Sequence, residues 1–307
     1  MQKRIRNNAW NYDISKKVWE GKMKIGLEST TYFGLYDYDE GFQKIKAHGY
    51  DCIDYGELSK RHSDLYTFSA DKYRGFLTDI GESANKHGIE ITQLHALWVT
   101  DDKTESLREE NLSYFMKEIE GAHYLGCKKM VIHPFMPFGF GAEVDKDKTW
   151  EINVELFKRL VAHAEKYNVT VCAENLPFTA ISMSTVKEVK NLIREINHPN
   201  FKACLDTGHA NMFHNDLAAD VRLLGDDLVA LHVHDNNGRG DQHLLPYMGT
   251  IKWEEFLSAL KEIDYKGAFT LETAISTSMP QPMQEEMQRT LAKLARNMAD
   301  KVMRRDE

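Results

Sequence analysis

Cysteine is scarce in this chain. Four residues in 307, Cys52, Cys127, Cys172 and Cys204, stand too far apart to make a CxxC pair. Each lies in or beside an apolar run, where a free thiol packs as a small hydrophobe. Long hydrophobic runs are missing too: none approaches the ~20 residues that a membrane crossing needs. The first 22 residues lack the apolar centre of a signal peptide. These absences exclude a membrane partner and predict a reducing, cytoplasmic setting. Positive charge is not in excess, and a formal net charge of −8 weighs against a broad electrostatic affinity for nucleic acid. The first apolar run ends in Leu27-Glu28-Ser29-Thr30-Thr31, with no GxGxxG to suggest a dinucleotide fold.

What is present is a repeating alternation. Eight short apolar runs read as strands: 24–28, 51–55, 89–95, 129–133, 169–174, 201–206, 228–234 and 268–272. Amphipathic stretches fill the intervals, and a last one runs from Pro282 to Met303. Gly49, Gly88 and Gly126 stand where a helix must end in a left-handed residue. An apolar share of 42% supports a sizeable core, and no linker-like segment divides the chain. Eight such units predict an α/β fold, a (β/α)8 TIM barrel in a single domain over residues 23–307. Residues 1–22 read as a basic extension carrying Trp10, Tyr12 and Trp19, either surface-docked or a contact in a homo-oligomer.

Barrel chemistry sits at the C-terminal ends of the strands. Those ends read Glu28, Tyr55 with Glu57, His95, His133, Glu174, Asp206 with His209, His232 and Glu272. So many titratable groups around one mouth are electrostatically costly without a cation. Glu174, Asp206, His232 and Glu272 are the expected ligands of one divalent metal. Three carboxylates and one imidazole form a hard donor set that favours manganese, with magnesium, cobalt or zinc as alternatives. After His232 the chain continues through His234, Asp235 and a glycine- and asparagine-rich loop to Asp241 and His243. That loop can bend back over the strand end. His95, His133, His209, Asp241 and His243 form a second ring that binds substrate or additional metal. His234 reads equally as a support behind the ligands or as structural, and Asp235 as a turn cap. Trp98 and Phe135, on loops beside the mouth, suit stacking on a sugar face. Arg239 and Arg61 are the arginines placed to meet a phosphate.

The segments Ala173-Glu174-Asn175-Leu176-Pro177, Leu205-Asp206-Thr207-Gly208-His209-Ala210, His232-Val233-His234-Asp235-Asn236 and Asp241-Gln242-His243-Leu244-Leu245-Pro246 resemble the xylose-isomerase-like barrel superfamily. Its members include sugar-phosphate isomerases and epimerases, ketose 3-epimerases, hydroxypyruvate isomerases, inosose dehydratases and endonuclease IV. The resemblance implies a single metal on residues matching Glu174, Asp206, His232 and Glu272. It also implies an acid/base role for the two glutamates and substrate contact by His209. The endonuclease branch implies three zincs on those four residues together with His95, His133, His209, Asp241 and His243. One departure is the run Pro246-Tyr247-Met248-Gly249, where relatives commonly read Pro-Gly-Glu-Gly.

The expected function is therefore a metal-dependent sugar or sugar-phosphate isomerase or epimerase, moving a proton through a cis-enediolate with Glu174 and Glu272 as acid and base. Its partner is a small carbohydrate-like substrate. The alternatives are an endonuclease-IV-like phosphodiesterase on abasic DNA and a sugar or inosose dehydratase. The aromatic, uncharged loop from Pro134 to Gly141 offers no basic grip for a duplex and favours the sugar.

Overall fold

Strand candidates in a parallel barrel are buried on both faces, so they read as near-continuous apolar runs rather than as alternation. The computed structural model of the protein describes residues 22–59, 64–99, 102–141, 144–178, 181–213 and 216–304. The expected extension over 1–22 lies, apart from Lys22, outside the described residues, as does Arg61. The eight strands are β1 Ile25–Glu28, β2 Cys52–Tyr55, β3 Glu90–His95, β4 Lys129–Ile132, β5 Thr170–Glu174, β6 Phe201–Asp206, β7 Leu228–His232 and β8 Phe269–Leu271. They form one parallel sheet in the order β7-β6-β5-β4-β3-β2-β1-β8. The seam between β7 and β8 is joined at Val233, whose N–H donates to Thr270 O (2.9 Å) and whose carbonyl accepts from Glu272 N (3.0 Å). The expected single-domain TIM barrel is what the chain forms.

Among the described residues ten α-helices surround the strands, nine between them and one after β8: α1 Thr30–Phe33, α2 Tyr38–His48, α3 Ala70–Lys86, α4 Glu105–Tyr124, α5 Lys146–Tyr167, α6 Val186–Ile196, α7 Thr207–Asn211, α8 Leu217–Leu224, α9 Trp253–Glu262 and α10 Gln281–Met303. Their ends follow local chemistry. Gly49, Gly88 and Gly126 take positive φ values of 105°, 66° and 75°, as their positions required. Thr185 opens α6 with a full capping box, its hydroxyl accepting from Glu188 N while Glu188 reaches back to Thr185 N.

The main core lies between the outer faces of the strands and the helices. Phe42, Leu77, Phe157, Leu192, Phe201 and Phe256 are fully buried there, each removal from water being worth about 1.5–3 kcal/mol. A smaller cluster of Val131, Cys172, Cys204 and Ala230 fills part of the barrel interior. All four cysteines are free and buried. Among the described residues, no helix is long and apolar enough to cross a membrane.

Candidate active site

Alternation along the strands sends the last inward residue of each toward one point at the barrel mouth. Glu174 ends β5, Asp206 ends β6, His232 ends β7, and Glu272 follows β8 by one residue. The first three are essentially buried. His232 Nδ1 lies 2.9 Å from Glu174 Oε1 and 3.2 Å from Glu272 Oε2. One ligand atom from each of the four residues falls within 4.8 Å of all the others. Glu174 Oε2 and Glu272 Oε2 are buried without a hydrogen bond among the described residues. Three carboxylates gathered around one imidazole fit a divalent cation by charge and by donor type.

The local backbone holds these groups in place. Asp206 caps α7, its Oδ1 accepting from His209 N at 2.6 Å. Asn175 pins the adjacent strand end, its side chain pairing with both Asp206 N (2.9 Å) and Asp206 O (3.0 Å). After β7, Asp235 and Leu244 exchange two backbone hydrogen bonds of 2.8 Å. The Asp235 carboxylate also accepts from Asn236 N, Ile251 N and Trp253 Nε1. Asp235 is thus the structural residue expected, and it folds the loop so that Asp241 and His243 return over the strand ends.

Two further groups flank the centre. On one side His133 Nε2 stands 3.1 Å and His95 Nε2 3.6 Å from Glu174 Oε2, and the His95 ring stacks on His232 at 5.4 Å and 9°. On the other side His209, His234, Asp241 and His243 bring ligand atoms within 4.8 Å of one another. Asp241 Oδ2 meets His209 Nε2 and His243 Nε2, each at 3.3 Å. His234 belongs to this group: its Nε2 is 3.0 Å from Asp206 Oδ2, and its ring stacks on His243 at 4.0 Å. The Val233 bridge carries the alternation past the last strand residue, so His234 points inward and is fully buried. Gly208 makes room for it, since a Cβ there would sit 2.0 Å from His234 Cε1.

Charge follows this arrangement. Burial opposes ionisation of Glu174, yet the His232 and His133 imidazoles hold its carboxyl well below the usual range. Burial also opposes ionisation of Asp206, which His209 and His234 hold at about 2. The same pairing lifts the imidazoles against the effect of burial: His95 to about 9 beside Glu174, His209 to about 10 beside Asp206 and Asp241, and His243 to about 9 beside Asp241. His133 is pulled down, chiefly by burial.

A cavity of about 700 Å³ opens above the cluster, lined on its polar side by Glu28, Glu174, His209 and Glu272 and on its apolar side by Trp98 and Phe178. Burial pushes the Glu28 carboxyl up to about 7 while Thr30 donates to it through N–H and hydroxyl. Three expectations need correction. Phe135 does not reach the cavity; it is buried between Phe115 and Phe157, at ring distances of 5.3 and 6.0 Å. Its backbone is fixed there by Asn153, which pairs with Phe135 N and O. Arg239 is exposed at the loop tip and does not line the cavity. At the end of β2 it is Asp54, not Tyr55, that faces the interior. Tyr55 turns outward to Phe33 and Tyr38, whereas Asp54 Oδ2 takes a 2.7 Å hydrogen bond from His232 Nε2. Trp98 stands half-exposed at the rim with its ring edge-on to His133 at 6.0 Å.

A family model described as the xylose isomerase-like TIM barrel matches residues 42–294. A D-psicose 3-epimerase of Enterocloster bolteae is 25% identical over 266 residues, covering 80% of this chain and 82% of its own. An inosose isomerase of Bacillus velezensis is 22% identical over 81% of this chain and 88% of its own. Among solved structures, the IOLI protein with a bound zinc atom superimposes with a TM-score of 0.72 at 22% identity, over 91% of this chain and 98% of its own. The first two relatives are named as an epimerase and an isomerase, and the third structure, alike in fold, holds a zinc atom.

Proposed function

The chain belongs to the xylose isomerase-like TIM-barrel family, and on that premise we propose that it is a divalent-metal-dependent isomerase or epimerase of a sugar or sugar phosphate. The observation that carries this reading is the pair Glu174 and Glu272. They come from β5 and from the end of β8, both lie within 3.2 Å of His232 Nδ1, and with Asp206 they bring one ligand atom each within 4.8 Å of the others. Glu174, Asp206, His232 and Glu272 would hold the ion, with manganese preferred by the donor set. When bound, it supplies a Lewis acid for the carbonyl and adjacent hydroxyl oxygens of the substrate.

The proton work falls to the chain's own carboxylates. One glutamate removes the proton from the carbon beside the carbonyl, giving a cis-enediolate. The other, or the same one, returns a proton to the opposite face or to the neighbouring carbon. His209, lining the cavity beside Asp241, is placed to hydrogen-bond a substrate hydroxyl, and Trp98 offers an aromatic face at the rim.

Solvent-deuterium exchange across a panel of ketoses and ketose phosphates, with manganese added, tests the reading before any product is known. Glu174→Gln and Glu272→Gln should each lower exchange by about 10²–10⁴-fold with the circular dichroism spectrum preserved. Full exchange in both variants sinks the assignment. Loss of water from the substrate after exchange assigns a dehydratase instead. The two flanking clusters favour a second reading, a multi-metal phosphodiesterase. Three bound ions per chain and cleavage of an abasic duplex without sugar exchange would establish it.

A further inference from the structure

Beneath the ligand cluster runs a row of buried polar side chains that the proton chemistry does not use. Asp54 on β2, Gln93 on β3, His232 on β7 and Thr270 on β8 are all fully or almost fully buried. Asp54 Oδ2 accepts from His232 Nε2 at 2.7 Å and from Gln93 Nε2 at 2.9 Å. Gln93 Oε1 in turn accepts from Thr270 Oγ1 at 3.5 Å, and its amide also reaches Leu231 O at 3.4 Å. Elsewhere the barrel interior is packed with Val131, Cys172, Cys204 and Ala230, so apolar filling was open to these positions too. A buried carboxylate costs several kcal/mol unless well paired, and Asp54 Oδ1 has no hydrogen-bond partner among the described residues. Packing alone does not account for a carboxylate here.

The contact decides which ring nitrogen of His232 is free. Carboxylate oxygens face both ring nitrogens, and the shorter contact, 2.7 Å to Asp54 against 2.9 Å to Glu174, favours the proton of a neutral ring on Nε2. The lone pair is then left on Nδ1, the atom between Glu174 and Glu272. We propose that Asp54, braced by Gln93, is the positioning residue that fixes the tautomer and rotation of His232 for metal binding. This rests on the reading of His232 as a metal ligand. A carboxylate behind a ligating imidazole orients the ring and raises its basicity, and losing one typically costs 10–100-fold in metal affinity.

The test measures binding and needs no turnover. Manganese affinity is determined by chelator competition for the wild type, Asp54→Asn, Asp54→Ala, Gln93→Leu and His232→Ala. Asp54→Asn preserves shape and keeps an acceptor should Asp54→Ala fail to fold. Nitrogen NMR of ¹⁵N-histidine-labelled, metal-free protein at a pH where the ring is neutral reads the His232 tautomer, which a purely structural role would leave unchanged. Expected are a 10–100-fold loss of affinity for the Asp54 variants, a smaller one for Gln93→Leu, and a mixed tautomer in place of an Nε2–H ring. Wild-type affinity and tautomer in a folded Asp54→Asn, with affinity lost in His232→Ala, overturn the proposal alone. Wild-type affinity in His232→Ala overturns the metal reading on which it stands.

Discussion

His95, His209 and His243 each set Nδ1 against a backbone carbonyl, of Ala96, Asn175 and Glu272 respectively, at 2.7–2.9 Å. That leaves Nε2 of each facing the site. His232 is turned the other way, Nε2 against Asp54 and Nδ1 toward the glutamates. These orientations decide what each imidazole can do, and none is legible in a sequence, because the carbonyls come from other segments of the fold. Residue type and strand-end position were legible, which is why Glu174, Asp206, His232 and Glu272 could be gathered beforehand. The protonation of the ring has a measurable consequence. His95, His209 and His243 are lifted to about 9, 10 and 9, so at pH 8 they hold protons in the metal-free protein. An ion that takes their lone pairs, or the carboxylates that stabilise them, releases those protons, and affinity rises with pH up to about 9–10. Titration calorimetry at pH 8 in two buffers of different ionisation enthalpy should show net proton release. A heat independent of the buffer contradicts this.

At the scale of the element, helices were legible and strand faces were not. Amphipathic spacing and terminal glycines are local signals, and the capping residues act within one turn. Thr185→Ala removes the α6 capping box and should cost about 1 kcal/mol, within 0.5–2 kcal/mol, seen as a lower melting temperature with metal affinity unchanged. A loss of affinity would mean that α6 is coupled to the site. In β2, by contrast, Cys52, Ile53, Asp54 and Tyr55 are all buried, so no alternation of polarity tells which side faces the interior. Tyr55 was the more conspicuous residue, but Asp54 is the one that faces the interior and meets His232. The loop after β4 misled for a similar reason. Its aromatic residues look alike in sequence, and only the packing of α4 and α5 beneath it takes Phe135 into the core while Phe138 and Phe140 stay exposed.

For the molecule as a whole, eightfold recurrence of one pattern made the barrel readable even though no single strand was certain. The closure of the sheet was not readable, because β1 meets β8 across some 240 residues of chain and that pairing has no local signal. The four proposed ligands come from β5 through the end of β8 and so span the seam. A bound ion therefore links strands that share few backbone bonds. At a free manganese concentration one hundred times the dissociation constant, binding should add about 2.7 kcal/mol to global stability. Differential scanning calorimetry with manganese and with a chelator checks this, and coincident transitions would refute it.

The Val233 seam also bears on the order in which the chain is made. Synthesis runs from the N-terminus, and domains organise as their segments emerge. Strands β1 to β7 can be paired before Phe269 appears, but their edges at β1 and β7 stay open. The arrival of β8 closes both edges and delivers Glu272 beside His232. A nascent or truncated chain that lacks β8 is thus left with an open sheet and half of the proposed acid/base pair. The barrel is closed, and the proposed glutamate pair is completed, in one event, the pairing of β8 with β1 and with Val233.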